Sequence, residues 1–394
     1  MPSKPSSETE ESPIHFEPKD VPPPLPGQKG EVGVRSLERH ACPNCGGKAI
    51  WNPSIQKLEC PYCATTFERD SQTDDDDIIE HDLLQTLAEL GATPKDWDEP
   101  ETRLVKCSNC HATLRRNRND VAQNCDFCGA PELLDYEDID AVIRPESILP
   151  AKVDKNSAAE RLKLWLGKRW LAPNDLKKRS LIDRLHGVYI PYWTFDANAH
   201  CPWTAQSGTY YYVTRTYTDS NGKTRTRQER RTRWRPASGT VNTAFDDVTI
   251  SGSRSVENKL QREIEPYPTG ELTPYETRYV SGWHVEQYQV DLPQAAQLGK
   301  SQMHQMLREM CADQIPGDTY RNLQINPQYS DQTFKHILVP IWIVAYQYRS
   351  KTYQSVVNGF TGKVASTYPK SIWKITFLVL LAILIIGSII YLNR

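Results

Sequence analysis

The chain has 394 residues, of which 38% are hydrophobic and 24% charged. That length accommodates two or three domains of about 100–200 residues each, and so modest an apolar content excludes a chain that lies mostly in lipid. The net charge of −2 conceals a division, because residues 1–140 carry −14 and residues 141–394 carry +12. Opposite signs in the two halves imply different partners for each.

In chain order, residues 1–38 are polar and Pro-rich and are expected to form a disordered tail, since they cannot bury enough apolar surface to fold. Within them "VPPPLPGQKG" (21–30) reads as a linker, with "PPPLP" as a polyproline docking peptide the alternative. The tail has neither the apolar stretch nor the cleavage site of a signal peptide. Without export the cysteines stay reduced, and CxxC pairs then read as metal ligands. The stretch "CPNCGGKAIWNPSIQKLECPYC" (42–63) holds two such pairs with fourteen residues between them, which predicts a zinc ribbon over 39–70. An acidic linker follows over 71–104. Its "DDDD" (74–77) is placed to favour the N-terminus of a helix over "IIEHDLLQTLAEL" (78–90), whose apolar residues recur at helical spacing. A second ribbon is predicted over 105–135, where "CSNCHATLRRNRNDVAQNCDFC" repeats the fourteen-residue gap.

Residues 141–368 are expected to form an α+β domain rich in antiparallel strands. Helices are predicted at 156–170 and 174–185, each with Asn at the cap position, and at 295–315. The rest alternates like strands between Gly, Asn and Pro. The segments "VYIPYWTF" (188–195) and "ILVPIWIV" (337–344) share a Pro followed two residues later by Trp, which is either chance or a duplication. A Pro in an apolar strand belongs near a sheet edge or bulge. Residues 372–392 are predicted to be a transmembrane helix. Residues 375–392 carry no charge and reach about 27 Å, near the thickness of a bilayer core. Trp373 and Tyr391 stand at interface depths, with Lys370 and Lys374 on one side.

Each ribbon supplies a closed set of four thiolates, Cys42, Cys45, Cys60 and Cys63 in one and Cys107, Cys110, Cys125 and Cys128 in the other. Four-coordinate tetrahedral sites of this kind are structural, leaving no position for substrate or activated water. The expected cofactors are therefore two structural Zn2+ ions; iron in a rubredoxin-like site is the competing reading. Cys201 and Cys311 are left as buried thiols. Of the ribbons only "RRNR" (115–118) is locally basic, so they are expected to contact protein or to be purely structural rather than to bind nucleic acid. The chain has no phosphate-binding loop, no HExxH and no GxSxG, and no catalytic constellation is found, so no enzyme activity is expected.

The basic stretch "YYYVTRTYTDSNGKTRTRQERRTRWRP" (210–236) reads as a hairpin turning at Asn221-Gly222. A two-residue turn there places Thr216 opposite Arg227, Tyr212 opposite Arg231 and Tyr210 opposite Arg233. Alternation then gathers Arg225, Arg227, Arg231 and Arg233 with Tyr210 and Tyr212 on one face. This is either a solvated edge whose charges prevent aggregation or an anion-binding surface, for which the headgroups of a nearby membrane are the first candidate.

The two ribbons, "YIPYWTFDA" (189–197), "RWRPASG" (233–239), "CADQIPGDTYRNL" (311–323) and "QTFKHILVPIWIVAYQYRSKTYQSVVNGFTGKV" (332–364) together resemble a bacterial family of transcription-factor-IIB-type zinc-ribbon membrane proteins. Some members carry a label borrowed from the primosomal helicase, although this chain lacks a motor. The resemblance covers about 40–374. It implies association with phage-shock-protein-A-like and SPFH-domain proteins in membrane-stress complexes, and it carries over no residues beyond the eight cysteines. The expectation is a single-pass scaffold or adaptor in the bacterial inner membrane. Its N-terminus and residues 1–370 would be cytoplasmic, with lysines 363, 370 and 374 on that side, and its partners would be membrane lipids and soluble proteins. The alternative is a tethered nucleic-acid-binding ribbon protein. Oligomeric state is not legible.

Overall fold

A computed structural model describes residues 40–68, 78–90, most of 102–135, 143–173, 185–348 apart from 219 and 221, and 351–392. The chain is α+β and dominated by strands, with five α-helices among the described residues. The first ribbon is a separate three-stranded antiparallel sheet, β1 (Ile50–Asn52), β2 (Lys57–Glu59) and β3 (Thr66–Phe67), in that order.

Every other strand among the described residues belongs to one sheet. Its N-terminal strands are β4 (His81–Asp82), β5 (Thr102–Cys107), β6 (Thr113–Asn117), β7 (Leu133–Asp135) and β8 (Ser147–Ile148). Two very long strands follow, β9 (His186–Thr218) and β10 (Thr224–Ser251). The remainder are β11 (Thr273–Pro274), β12 (His284–Glu286), β13 (Thr319–Ile325), β14 (Gln328–Tyr348), β15 (Lys351–Asn358) and β16 (Val364–Ser366). The order runs β11-β8-β14-β9-β12-β6-β5-β7. Strands β10 and β13 extend the pairing of β9, and β15 and β16 continue beyond β14. The second ribbon is therefore part of the main sheet, since β6 pairs with β12 and β12 with β9.

Alternation along β9 decides where the helices pack. Trp193, Phe195, Ala197, Ala199, Cys201, Trp203 and Ala205 are buried, while Asn198, His200 and Thr204 between them are exposed. The buried face is roofed by α4 (Leu292–Asp313), which presents Leu292, Ala295, Gly299, Met303, Leu307 and Cys311 at helical spacing. Gly299 is required by this approach, because a Cβ there would lie 2.8 Å from the Phe195 ring. Asp291 caps the helix by accepting from the Gln294 N–H.

Nearer its N-terminal end β9 is buried on both faces. Val188, Ile190 and Tyr192 face a cluster containing α3 (Asn258–Ile264), and Tyr189 faces one containing α2 (Lys155–Gly167). Two helix starts differ from expectation. Helix α2 is capped by Asp154, whose carboxylate accepts from the N–H groups of Asn156 and Ser157, so Asn156 lies inside it. Helix α1 spans only Leu83–Glu89 and is capped by Asp82, because His81 and Asp82 pair with β14 instead. The Asp run at 74–77 and the helix expected at 174–185, apart from Leu185, lie outside the described residues.

The two Pro-x-Trp segments pair with each other at the centre of the sheet, Leu338 opposite Pro191 and Pro340 opposite Tyr189. Neither proline is at an outer edge. Each lies one residue beyond the point where its outer neighbour stops, since β10 pairs as far as Tyr192 and β15 as far as Ile341. The Pro191 carbonyl accepts from the Gly252 N–H and the Pro340 carbonyl from the Gly359 N–H. The missing prolyl N–H thus points where no ladder carbonyl waits. The equivalence of the two Pro–Gly contacts is the structural counterpart of the sequence similarity.

Candidate functional site

The eight cysteines form two four-thiol clusters, in each of which the Sγ atoms lie within 4.8 Å of one another. In the first, Cys42 and Cys63 are 3.5 Å apart and Cys45 and Cys60 3.4 Å. In the second, Cys107 and Cys128 are 3.5 Å apart and Cys110 and Cys125 3.6 Å. Sulfurs bound tetrahedrally at about 2.3 Å would stand about 3.8 Å apart, so both clusters fit a metal ion with only slight expansion, and the all-thiolate donor set is compatible with zinc. The knuckles are made by tight turns. The N–H groups of Gly46, Ala64 and Gly129 return to the carbonyls of Cys42, Cys60 and Cys125, and all three residues take positive φ. The Thr65 hydroxyl, 3.2 Å from Cys63 Sγ, and the Thr65 N–H donate to that sulfur and hold its thiol below the ordinary range, while contacts with Cys60 and Cys63 push the neighbouring Cys45 thiol up.

The two centres occupy different surroundings. The first is at the surface, with Cys45 exposed, and its ribbon is docked on the main body through Trp51. That side chain is buried against Tyr279, and its indole N–H donates to the Ala151 carbonyl. The Trp51 N–H also donates to the Ser281 carbonyl, and the Ser281 hydroxyl donates to the Ala49 carbonyl. The second centre lies in the core. Cys107, Cys125 and Cys128 share a buried cluster with Ile190, Ile337 and Val339, and the Gln354 side-chain amide donates to the Phe127 carbonyl inside the knuckle. Of the "RRNR" arginines, Arg115 is buried and offers no basic surface; the side chains of Arg116 and Arg118 lie outside the described residues. Cys201 and Cys311 are both buried, with sulfurs 3.8 Å apart between β9 and α4.

The basic hairpin has a different register from the one expected. Thr218 pairs with Thr224 across residues 219–223, so Arg227 faces Arg215, Arg231 faces Tyr211 and Arg233 faces Thr209. The connection is five residues rather than two, which shifts the pairing by one and moves each tyrosine to the other face. Arg225, Arg227, Arg231 and Arg233 do share a face, but with Arg215, Tyr211 and Tyr217. Tyr210 and Tyr212 lie on the opposite face, where Arg230 covers the Tyr210 ring at 4.3 Å. Glu229 interrupts the arginine face, 3.1 Å from Arg215 and 3.8 Å from Arg231.

Among the described residues one helix, α5 (Ile372–Leu392), is long and apolar enough to cross a membrane, and none of it is buried. Its root is tied to the segment after α2. The Lys374 ammonium donates to the carbonyls of Trp170 and Ala172, both at 2.8 Å, and the Ser371 N–H donates to the Leu171 carbonyl. Trp170 and Trp373 are exposed beside this joint, and Arg169 covers the Trp165 ring at 4.2 Å. Trp170 and Arg169 escaped sequence reasoning because about 200 residues separate them from α5, and nothing local signals the pairing.

A further acidic group, Asp196, Asp246 and Asp247, was also not anticipated. Lys335 fills it, 2.9 Å from both Asp247 and Glu80. Burial alone would lower the Lys335 pKa, but these carboxylates more than offset it and keep the ammonium charged. The group is a partly exposed ion-pair network around the buried Lys335, and it already holds its own cation.

No protein-family model and no solved structure matches the chain. An uncharacterized protein, YdjG of Bacillus subtilis strain 168, is 23% identical over 337 residues, covering 85% of this chain and 91% of that protein. The similarity thus extends well beyond the cysteine knuckles, which fill only a small part of this chain.

Proposed function

We propose that the chain is a single-pass, membrane-anchored adaptor rather than an enzyme. In this reading its soluble body faces the cytoplasm of a bacterial cell and presents the surface ribbon and the basic hairpin to soluble partners. The joint at the root of α5 carries the proposal. Three hydrogen bonds tie an exposed apolar helix to the body, and tryptophans and cations surround the same point, as they do where helices enter an interface. A flexible tether would merely localise the body, whereas a fixed joint also orients it. Zinc in both clusters would be structural, because four protein ligands close each site. The resemblance noted in the sequence supports phage-shock-protein-A-like and SPFH-domain proteins as the first partners to test.

Deleting residues 372–392 is expected to move the chain from the membrane pellet to the soluble fraction with its metal content unchanged. Continued sedimentation of the truncated chain with membranes would reject the anchor. Purification of the full chain from membranes, followed by mass spectrometry, tests the named partners, and their absence would reject that part of the reading.

A further inference from the structure

The hairpin and the membrane helix leave opposite ends of the molecule. Strand β9 begins at His186 and ends at Thr218, a run of 33 residues, or about 100 Å at ordinary strand rise. Strand β16 runs antiparallel to β15, β15 to β14 and β14 to β9. It therefore heads toward the His186 end, and five residues separate it from α5. The basic turn is at the other end. Residue Gly208 is the last on β9 to pair with β13. Beyond it, 209–218 and 224–233 pair only with each other and project as an arm of about 33 Å.

No described residue of these two segments is buried. The arm therefore contributes no core, and isolated two-stranded ribbons are marginal in water. Its residues 209–235 carry eight Arg and Lys against two Asp and Glu. Arg215 and Arg227 stand directly opposite one another, a repulsion that Glu229, 3.1 Å from Arg215, offsets in part. Tyr211 and Tyr217 are exposed on the face of Arg225, Arg227, Arg231 and Arg233, and Tyr212 is exposed on the opposite face. Arginines repeating along a face and interleaved with open aromatic rings suit a partner with both a phosphate backbone and stacking bases. A headgroup layer supplies phosphate without bases, and the anchor does not bring this end of the molecule to it.

We propose that the arm formed by residues 209–235 is a nucleic-acid-binding element that reads the backbone without sequence preference and is held away from the membrane root. The ribbons take no part in it. The duplex major groove is wide enough for such a ribbon, and a single strand could lie along its arginine face with bases on the tyrosines.

The test uses the full chain in detergent micelles and fluorescein-labelled 30-nucleotide single strands and 30-base-pair duplexes of mixed sequence, followed by anisotropy. Four phosphate contacts predict that log K falls by about 3–4 per decade of salt. Replacing Arg225, Arg227, Arg231 and Arg233 by Gln should weaken binding at least tenfold and flatten that slope. E229Q removes the acidic interruption and should tighten binding and steepen the slope, a gain that misfolding cannot produce. Y217A, on the arginine face opposite Arg225, should weaken single-strand binding about 5-fold or more through lost stacking. Unchanged binding by the four-Gln and E229Q variants would overturn the proposal. So would displacement of the oligonucleotide by polyglutamate of equal charge together with no effect of Y217A, because the arm would then be a surface for acidic protein. Arm-dependent binding to phosphatidylglycerol vesicles with no oligonucleotide binding would overturn it in favour of lipid.

Discussion

His336 illustrates how a single buried side chain sets the conditions under which this body is stable. It is fully enclosed, stacked on Trp193 with ring centroids 4.8 Å apart, and its Nδ1 lies 2.9 Å from the Ile143 carbonyl, to which it donates. Burial holds its pKa down to about 4. The unfolded chain binds a proton near pH 6.5 and the folded chain does not until about pH 4, so this contribution is complete above 6.5 and is lost as pH falls between the two. Lowering the pH from 7.5 to 5.5 should cost about 1.4 kcal/mol through this residue. Urea unfolding of H336Q, compared with the wild type at both pH values, should show a smaller acid loss in the variant. Equal losses in both proteins would show that His336 is not the sensor. The residue scale was poorly legible in the sequence, because neither this histidine nor the Lys335 network has a local signature. Only the cysteine pairs announced themselves, since a CxxC turn is local and its partner pair lies in the same repeat.

Among the elements, the two metal centres are expected to behave differently despite near-identical spacing. C42S should lose one metal ion and leave the main body folded, because the first ribbon has its own three-stranded sheet and meets the body only along one side, through Trp51, Ser54, Gln56 and the Ala49–Ser281 contact. W51A, by contrast, should keep both metals and loosen the ribbon, which is then held by its hydrogen bonds to Ser281, Ala151 and Asp154, with accelerated proteolysis within 40–68. The cost should be about 3–5 kcal/mol, typical of emptying a buried Trp site. C107S should unfold the body as well as its ribbon, since Cys107 is in the core and β6 is stitched to β12. Metal content by plasma mass spectrometry and near-ultraviolet circular dichroism distinguish these outcomes, and a C107S chain with an intact body would contradict the placement of that centre. Spacing predicted both ribbons but not the difference between them, which arises from strand pairing between residues more than 150 positions apart. The same limit explains the hairpin. Asn221-Gly222 marked the turn correctly, yet the length of the loop around it fixes the register, and one residue of error exchanged the tyrosine faces. The prolines were misread for a related reason. A proline in a central strand is tolerated where its outer neighbour ends, and the sequence of one strand does not say where its neighbour stops.

At the scale of the whole molecule, the long strand β9 connects a membrane-rooted end to a cationic end, and the account stands or falls on that polarity together with the orientation of the body. The arm itself supplies the probe, because its exposed arginines are trypsin sites on a ribbon with no core. Limited trypsin digestion should be carried out in parallel on intact spheroplasts and on inverted inner-membrane vesicles, with fragments mapped by mass spectrometry. The account predicts no cleavage in spheroplasts. In inverted vesicles it predicts first cleavage within 225–233, leaving a C-terminal fragment with α5 in the membrane pellet. Cleavage of the arm from outside intact spheroplasts, or an arm that survives in inverted vesicles while the rest of the body is cut, would contradict it.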